Sequence, residues 1–295
     1  MSKTGKDLYI CGGFAEGSHC NHFLKLCTKT NTWSRLPGMI RPTYDCKCVV
    51  IDQEIFVIGS CHNEKFSMKT NEWVEIVALP DQSVLVGAFP FQGNVLVVTS
   101  GDDFAVQLYN LKDEKWYYLL ELANALNDFF GEIYSIICFN KEILVYGKDK
   151  NESTFFNDTY KWFSLATKKL ESRDTNGKNL KETFSLAEAP IRLLSNGDTL
   201  FAFMYSHGNK FNTNLHKFDN FSTSLIFSPR SKWTSILPMQ TPAHIESIEI
   251  ADDKIYALVR TDQFCMVRTF DIMAGMWVGE VKLPFKVTQT GFFSF

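Results

Sequence analysis

Hydrophobic and polar positions recur along this chain in one repeated form: two polar or turn residues followed by a β-rich apolar run. The copies span Lys6 to Cys11, Gln53 to Ile58, Gly93 to Val98, Lys141 to Tyr146, Asp198 to Phe203 and Asp253 to Leu258. Taking Tyr9, Phe56, Leu96, Leu144, Phe201 and Tyr256 as equivalent, the steps are 47, 40, 48, 57 and 55 residues. A second mark follows, in Trp33, Trp73, Trp116, Trp233 and Trp277, usually just ahead of a Leu-Pro pair. Seven residues before the Trp stands a large apolar residue, Leu26, Phe66, Tyr109 or Phe270. The fourth copy puts Phe163 and Leu170 in this frame. The fifth has Phe218 fifteen residues ahead of Trp233, which implies about eight inserted residues. Turn residues such as Lys69-Thr70-Asn71 lie between the two marks, as a hairpin requires.

Upstream of the later copies lies another apolar run: Cys46 to Ile51, Val84 to Phe91, Ile133 to Phe139, Ile191 to Leu194 and Ile245 to Ile250. Each period then holds four antiparallel strands, with no convincing helix between periods. Six such units predict an all-β, six-bladed propeller, which absorbs many strands radially and leaves no long exposed edge. The chain starts at the second strand of its first unit and finishes with a lone strand, Gln289 to Phe295. That strand is expected to supply the missing first strand of unit one and so close the ring. The 295 residues divide into about 49 per unit, so one domain spanning 1–295 is expected.

Composition sharpens this picture. Hydrophobic residues make up 45% and charged residues 21%, enough for a packed core and too ordered a composition for a disordered tail. The 14% aromatic content favours strands, and most of these rings are expected in the wedges between blades. A net charge of −3 argues against nucleic acid or an anionic membrane as partner. There is no long apolar span and no apolar segment behind Met1, so a cytoplasmic location is expected, with the nucleus as an alternative. The eight Cys, several inside apolar runs, read as reduced core thiols.

The residues resemble the Kelch repeat: a strand ending in a Gly doublet, a loop, an aromatic, six intervening residues and a Trp. The best copies are Leu8 to Gly13 with Trp33, and Ile55 to Ser60 with Phe66 and Trp73; Met39 to Tyr44 is similar to the family's Met and Arg approach to the next blade. The resemblance covers the whole chain, although only the first unit has a true Gly doublet. A six-bladed Kelch propeller with C-terminal closure is similar to the substrate-recognition domains of BTB-Kelch proteins, in particular the Kelch repeat and BTB domain-containing group. That resemblance implies an upstream BTB-BACK module that dimerises and docks on Cullin-3, with the propeller itself a monomer that picks the protein to be ubiquitinated. The rival reading is an actin-binding or scaffolding Kelch protein without a ligase role.

In such a ring the loops between second and third strands, and those leading into the next blade, share one face, where recognition usually resides. Arg41 leads the candidates, because a guanidinium grips carboxylates or peptide carbonyls bidentately; its alternative is a structural Arg bonding a neighbouring blade. The run Leu126 to Gly131, with Asn127, Asp128, Phe129 and Phe130, either presents an aromatic anchor or plugs the surface. Asp102, Asp103 and Phe104, and likewise Lys210 and Phe211, repeat this pairing of charge with an aromatic. His19, Tyr44, His62, Lys148, Arg260 and Phe264 complete a mixed-sign face suited to a target protein or peptide.

Bond chemistry is poorly signalled. His19-Cys20-Asn21-His22 and Cys61-His62 place soft ligands close together, but at a spacing that matches no standard zinc finger. Nucleophile elbow, phosphate loop and sialidase-type Asp-box are all missing. Neither enzyme activity, nor a metal, nor a cofactor is expected.

Overall fold

The seven-residue interval between an apolar mark and its Trp is the cross-strand register of a hairpin. Leu26 pairs with Trp33, Phe66 with Trp73, Tyr109 with Trp116, Phe163 with Leu170 and Phe270 with Trp277. In each hairpin the residue after the turn lies in the left-handed region: Asn31 (φ 55°), Asn71 (61°), Glu114 (55°), Lys168 (56°) and Gly275 (67°). Its N–H donates to the carbonyl four residues back at 2.7 to 2.9 Å. The same turn is thus built five times on different residues.

The computed structural model describes residues 7–15, 17–59, 62–139, 142–150, 158–164, 168–171, 191–196, 199–204, 224–228, 231–236, 244–261, 263–285 and 291–294. Among them are six four-stranded antiparallel sheets. The first comprises Gly291–Ser294, Leu8–Cys11, Phe23–Cys27 and Thr32–Arg35. Lys47–Ile51, Glu54–Ile58, Asn63–Ser67 and Glu72–Ile76 make the second, and Val84–Phe91, Asn94–Ser100, Phe104–Asn110 and Lys115–Tyr118 the third. The fourth holds Phe130–Phe139, Glu142–Asp149, Asp158–Ser164 and Lys169–Glu171. The fifth holds Ile191–Asn196, Thr199–Met204, Ser224–Ser228 and Ser231–Ile236, and the sixth His244–Ala251, Lys254–Arg260, Cys265–Asp271 and Met276–Lys282. The expected donation from the C-terminus is present, since Leu8 pairs with Ser294 and Cys11 with Gly291. In the fifth sheet the third strand is Ser224–Ser228, so it does not contain Phe218, which lies outside the described residues.

Two compact units are present: residues 1–101, 107–118 and 245–295, and residues 102–106 and 119–244. In the first, the inner strands are buried on both faces, which is why they read as unbroken apolar runs. Side-chain alternation sends successive residues of Leu8–Cys11 to opposite wedges. Leu8 and Ile10 pack with Tyr256, Leu258 and Val267 of the sixth sheet, while Tyr9 and Cys11 pack with Ile55, Val57 and Phe66 of the second. Val49, Phe56 and Ile58 then meet Val95, Val97 and Tyr109 of the third. A fully buried Leu, Ile or Phe contributes about 2 kcal/mol, so these wedges dominate stability.

The Trp side chains add a repeated latch. Trp73 Nε1–H donates to Pro37 O at 2.8 Å, Trp116 to Val77 O at 2.8 Å and Trp33 to Lys282 O at 3.0 Å. Each indole reaches back to the chain leaving another sheet.

In the second unit one expectation is corrected. The run Leu126 to Gly131, expected as a loop, instead closes a helix, Leu120–Phe129, and opens the fourth sheet, which begins at Phe130. Leu122, Ala123 and Leu126 are buried on one side of that helix, and tertiary burial of this kind outweighs the weak helix preference of the Asn and Asp residues around it. Among the described residues no helix is long and apolar enough to cross a membrane.

Candidate functional site

The loop after the first Gly doublet folds back as a small hairpin, in which Phe14 pairs with His19 and Ala15 with Ser18. The doublet makes this possible. Gly12 and Gly13 have φ of 60° and 104°, and a Cβ on Gly12 would stand 2.6 Å from Thr43 O. Gly13 N–H donates to that same Thr43 carbonyl at 2.6 Å, Cys20 N–H donates to Gly13 O at 2.9 Å, and Thr43 N–H donates to Cys20 O at 3.3 Å. Buried Thr43 is therefore knitted beneath the hairpin, and its neighbour Tyr44 is left outside.

Tyr44 stacks on His19, with ring centroids 4.1 Å apart and planes at 24°. His19 also meets Phe14 edge-on at 5.7 Å and 64°. Phe14 is 38% and Tyr44 43% exposed, and Ile40 beside them is 49% exposed. Three rings from two loops thus form an open surface held by a rigid backbone. Stacked rings offer apolar area with polar edges, the character of anchors in protein interfaces.

Arg41 borders this surface but is already engaged. Its Nε–H donates to Glu75 Oε1 at 2.7 Å, and both side chains are exposed. Beneath it Glu64, only 1% exposed, accepts the Ile40 N–H at 2.9 Å and the Arg41 N–H at 2.8 Å with its two carboxylate oxygens. Burial pushes the Glu64 carboxyl above the ordinary 4.5 of a glutamate, against the pull of these two donors. Gln107, at the matching place two residues before Tyr109, grips Asp81 in the same way: Asp81 N–H donates to its Oε1 at 2.9 Å and its Nε2–H donates to Asp81 O at 3.2 Å. Both residues fix the chain arriving from the preceding sheet. Their roles escaped the sequence reading because a single Glu or Gln within a strand carries no local signal.

The remaining candidates divide. His62 is exposed, and its carbonyl accepts the Gly59 N–H at 3.2 Å. Asp102, Asp103, Asp128 and Lys148 are exposed, so they stay available for charge recognition. Phe104 is buried, and Asn127 is spent on it: Phe104 N–H donates to Asn127 Oδ1 at 2.7 Å and Asn127 Nδ2–H donates to Phe104 O at 2.9 Å. Phe130 is also buried, with half-buried Phe129 against its edge at 4.9 Å and Lys161 Nζ 4.4 Å from the Phe129 centroid. None of these three side chains is therefore an open anchor. Arg260 pairs with Glu246, and half-buried Phe264 is covered by Lys282 at 4.4 Å. Lys210 and Phe211 lie outside the described residues, as does Cys61 of the soft-ligand pair.

A grouping absent from the sequence reading lies inside the first wedge. The Sγ atoms of Cys11, Cys46 and Cys48 all lie within 4.8 Å of one another. Burial pushes the Cys11 and Cys48 thiols well above their ordinary value, so neither is a ready nucleophile.

Comparison with known proteins agrees with the strand pattern. The Kelch motif matches residues 4–40. Kelch repeat protein C2 of Vaccinia virus (strain Western Reserve) is 25% identical over 181 residues, 57% of this chain and 34% of the viral protein. An F-box/kelch-repeat protein of Arabidopsis thaliana is 29% identical over 97 residues, 30% of this chain and 26% of its own length. The chain thus spans about a third of the viral relatives it matches. Among solved structures, a chain of the nidogen/laminin complex has a TM-score of 0.62 at 9% identity, covering 98% of both chains. TolB from Acinetobacter baumannii has the same TM-score and identity, covering 98% of this chain and 66% of its own. At that identity the structural likeness concerns the fold alone. The chain thus carries a Kelch motif at its start, is similar over part of its length to Kelch-repeat proteins, and is built among its described residues from four-stranded antiparallel sheets.

Proposed function

We propose that the chain is a protein-interaction module, with its six sheets forming one closed six-bladed ring, and that it captures a segment of a target protein on the Phe14, His19 and Tyr44 surface. The observation that carries this reading is the exposed ring stack, whose two loops are joined by backbone bonds through Thr43. A preordered aromatic surface loses little entropy on binding, which favours recognition by a rigid scaffold. Arg41 and Glu75 on its rim, with His62 nearby, supply charges of both signs for orientation.

The module serves a Cullin-3 ubiquitin ligase as its substrate receptor, with BTB-BACK as the docking part of the full protein. Relatives whose names join an F-box to Kelch repeats favour a ligase setting for such modules. The work is recognition in a cytoplasmic or nuclear setting, and no bond chemistry is assigned to the ring.

The test is affinity purification of the full-length protein with quantitative mass spectrometry, beside Tyr44→Ala and His19→Ala. The expected result is a target that both variants lose while Cullin-3 is retained. Absence of Cullin-3 from all samples overturns the ligase assignment. Co-sedimentation with filamentous actin would instead establish the scaffolding role.

A further inference from the structure

Cys11 ends the second strand of the first sheet, whereas Cys46 and Cys48 flank the start of the second sheet. Two residues apart on extended chain, Cys46 and Cys48 share a face, and that face meets Cys11. The Sγ atoms of Cys11 and Cys48 are 3.0 Å apart, and Cys46 Sγ lies 3.8 Å from the Cys11 carbonyl. Three thiols from two sheets converge within one wedge, among Tyr9, Phe23, Ile55 and Phe66.

Small buried thiols often act only as apolar filler, but filler does not require three sulfurs at one point. With Zn–S bonds of about 2.3 Å, sulfurs around one tetrahedral zinc stand about 3.8 Å apart. The separations here start at 3.0 Å and none exceeds 4.8 Å, so all three lie within about 1 Å of that value. Each side chain would need to shift by less than about 1 Å. Thiolate donors select soft or borderline cations over magnesium or calcium.

We propose that Cys11, Cys46 and Cys48 form a three-thiolate site for a thiophilic divalent cation, zinc in the first place, which clips the first sheet to the second. On binding, three S–H bonds break, three S–Zn bonds form and three protons pass to solvent. The fourth position goes to a water. The assembled site carries one net negative charge. The site is independent of the target-binding surface, although it fixes the strand that leads to Gly12 and the hairpin beyond.

The test is metal titration of the reduced, chelator-stripped protein, with Co2+ as the spectroscopic probe and Zn2+ as competitor. The expected result is one Co2+ per chain, a thiolate-to-cobalt charge-transfer band that Zn2+ abolishes, and a higher melting temperature with either ion. Cys46→Ser and Cys48→Ser should each weaken binding at least tenfold, while Cys265→Ser, in the wedge with the sixth sheet, leaves it unchanged. Because the serine variants could unfold, stoichiometry on the wild-type chain decides by itself. Less than one-tenth of an ion per chain on the folded wild type overturns the proposal. So does a charge-transfer band that persists in Cys48→Ser, or a Cys11–Cys48 disulfide in protein purified without reductant.

Discussion

Glu64 holds Arg41 by its main chain. The Arg41 N–H donates to Glu64 Oε1 at 2.8 Å, while the guanidinium turns away to Glu75. The chain arriving from the first sheet is therefore fastened by a buried carboxylate, and the orientation of the loop carrying Tyr44 follows from it. Replacing Glu64 by Ala leaves the Ile40 and Arg41 amides without their acceptor, at a cost of about 2 kcal/mol, readable as a lower urea midpoint.

The same carboxyl gives stability a pH dependence of defined sign. Its folded value lies above the 4.5 of an ordinary glutamate because burial disfavours the charge. The folded protein then holds the proton more tightly than the unfolded chain. This contribution favours folding below about pH 4.5 and is lost as pH rises through the raised value. Glu64→Gln removes the titration and keeps one amide acceptor. The stability difference between wild type and Glu64→Gln should accordingly move against the wild type as pH rises above about 4.5; a difference that stays flat would show that the carboxyl is not raised.

Tyr44→Ala tests the ring stack as a binding surface. Tyr44 is exposed and touches His19 rather than the core, so folding stability should change by less than about 0.5 kcal/mol. Affinity for the target should fall about tenfold or more if the stack is the anchor. Phe104→Ala is the contrasting variant. It deletes a buried ring, and its effect should appear as lost stability of about 3 kcal/mol. Thermal melts beside binding isotherms separate the two effects.

The hairpin between third and fourth strands makes a local prediction. Asn71 sits at φ 61° with its N–H donating to Ser67 O at 2.8 Å. Asn tolerates this region better than most residues with a side chain. Asn71→Ala should destabilise by about 1 kcal/mol and Asn71→Gly should be near neutral. Equal melting temperatures for the two variants would remove backbone conformation as the reason for Asn here.

These cases also show which relationships a linear pattern can carry. Phe66 and Trp73 are seven residues apart because one tight turn separates them, so their pairing is written in the spacing itself. The strand donated from Gly291–Ser294 was legible for a related reason, since a repeat lacking one strand at its start had a spare one at its end. Arg41 was visible as a charge, but its partner Glu75 is 34 residues away and only the folded sheet brings it close. Phe104 and Tyr44 both read as aromatics in polar loops, and only packing turned one inward and the other outward. The run from Leu126 gave no sign of the helix Leu120–Phe129 because Asn and Asp count against a helix locally, whereas its burial is set by the rest of the second unit. The thiol group of Cys11, Cys46 and Cys48 draws on two different sheets, so no spacing rule could have found it.

Gly147 supplies the last prediction. It lies on the second strand of the fourth sheet, opposite Ile133, where the pairing with Phe130–Phe139 shifts register on either side. A Cβ there would stand 2.2 Å from Glu132 O, 2.9 Å from Phe130 Cδ1 and 3.0 Å from Ile133 Cα. Two of these three atoms are backbone, so rotation of a side chain cannot relieve the overlap. The neighbouring strand must move, and with it the junction between Phe129 and Phe130 that ends the helix. Gly147→Ala should therefore cost about 3 kcal/mol, at the upper end of overpacking substitutions. Gly279→Ala is the matched control, because nothing lies within 4 Å of its would-be Cβ. There the loss of unfolded-state freedom should leave stability unchanged or raise it by about 0.5 kcal/mol. Equal urea midpoints for the two variants would mean that the strands around Gly147 are further apart than this register allows.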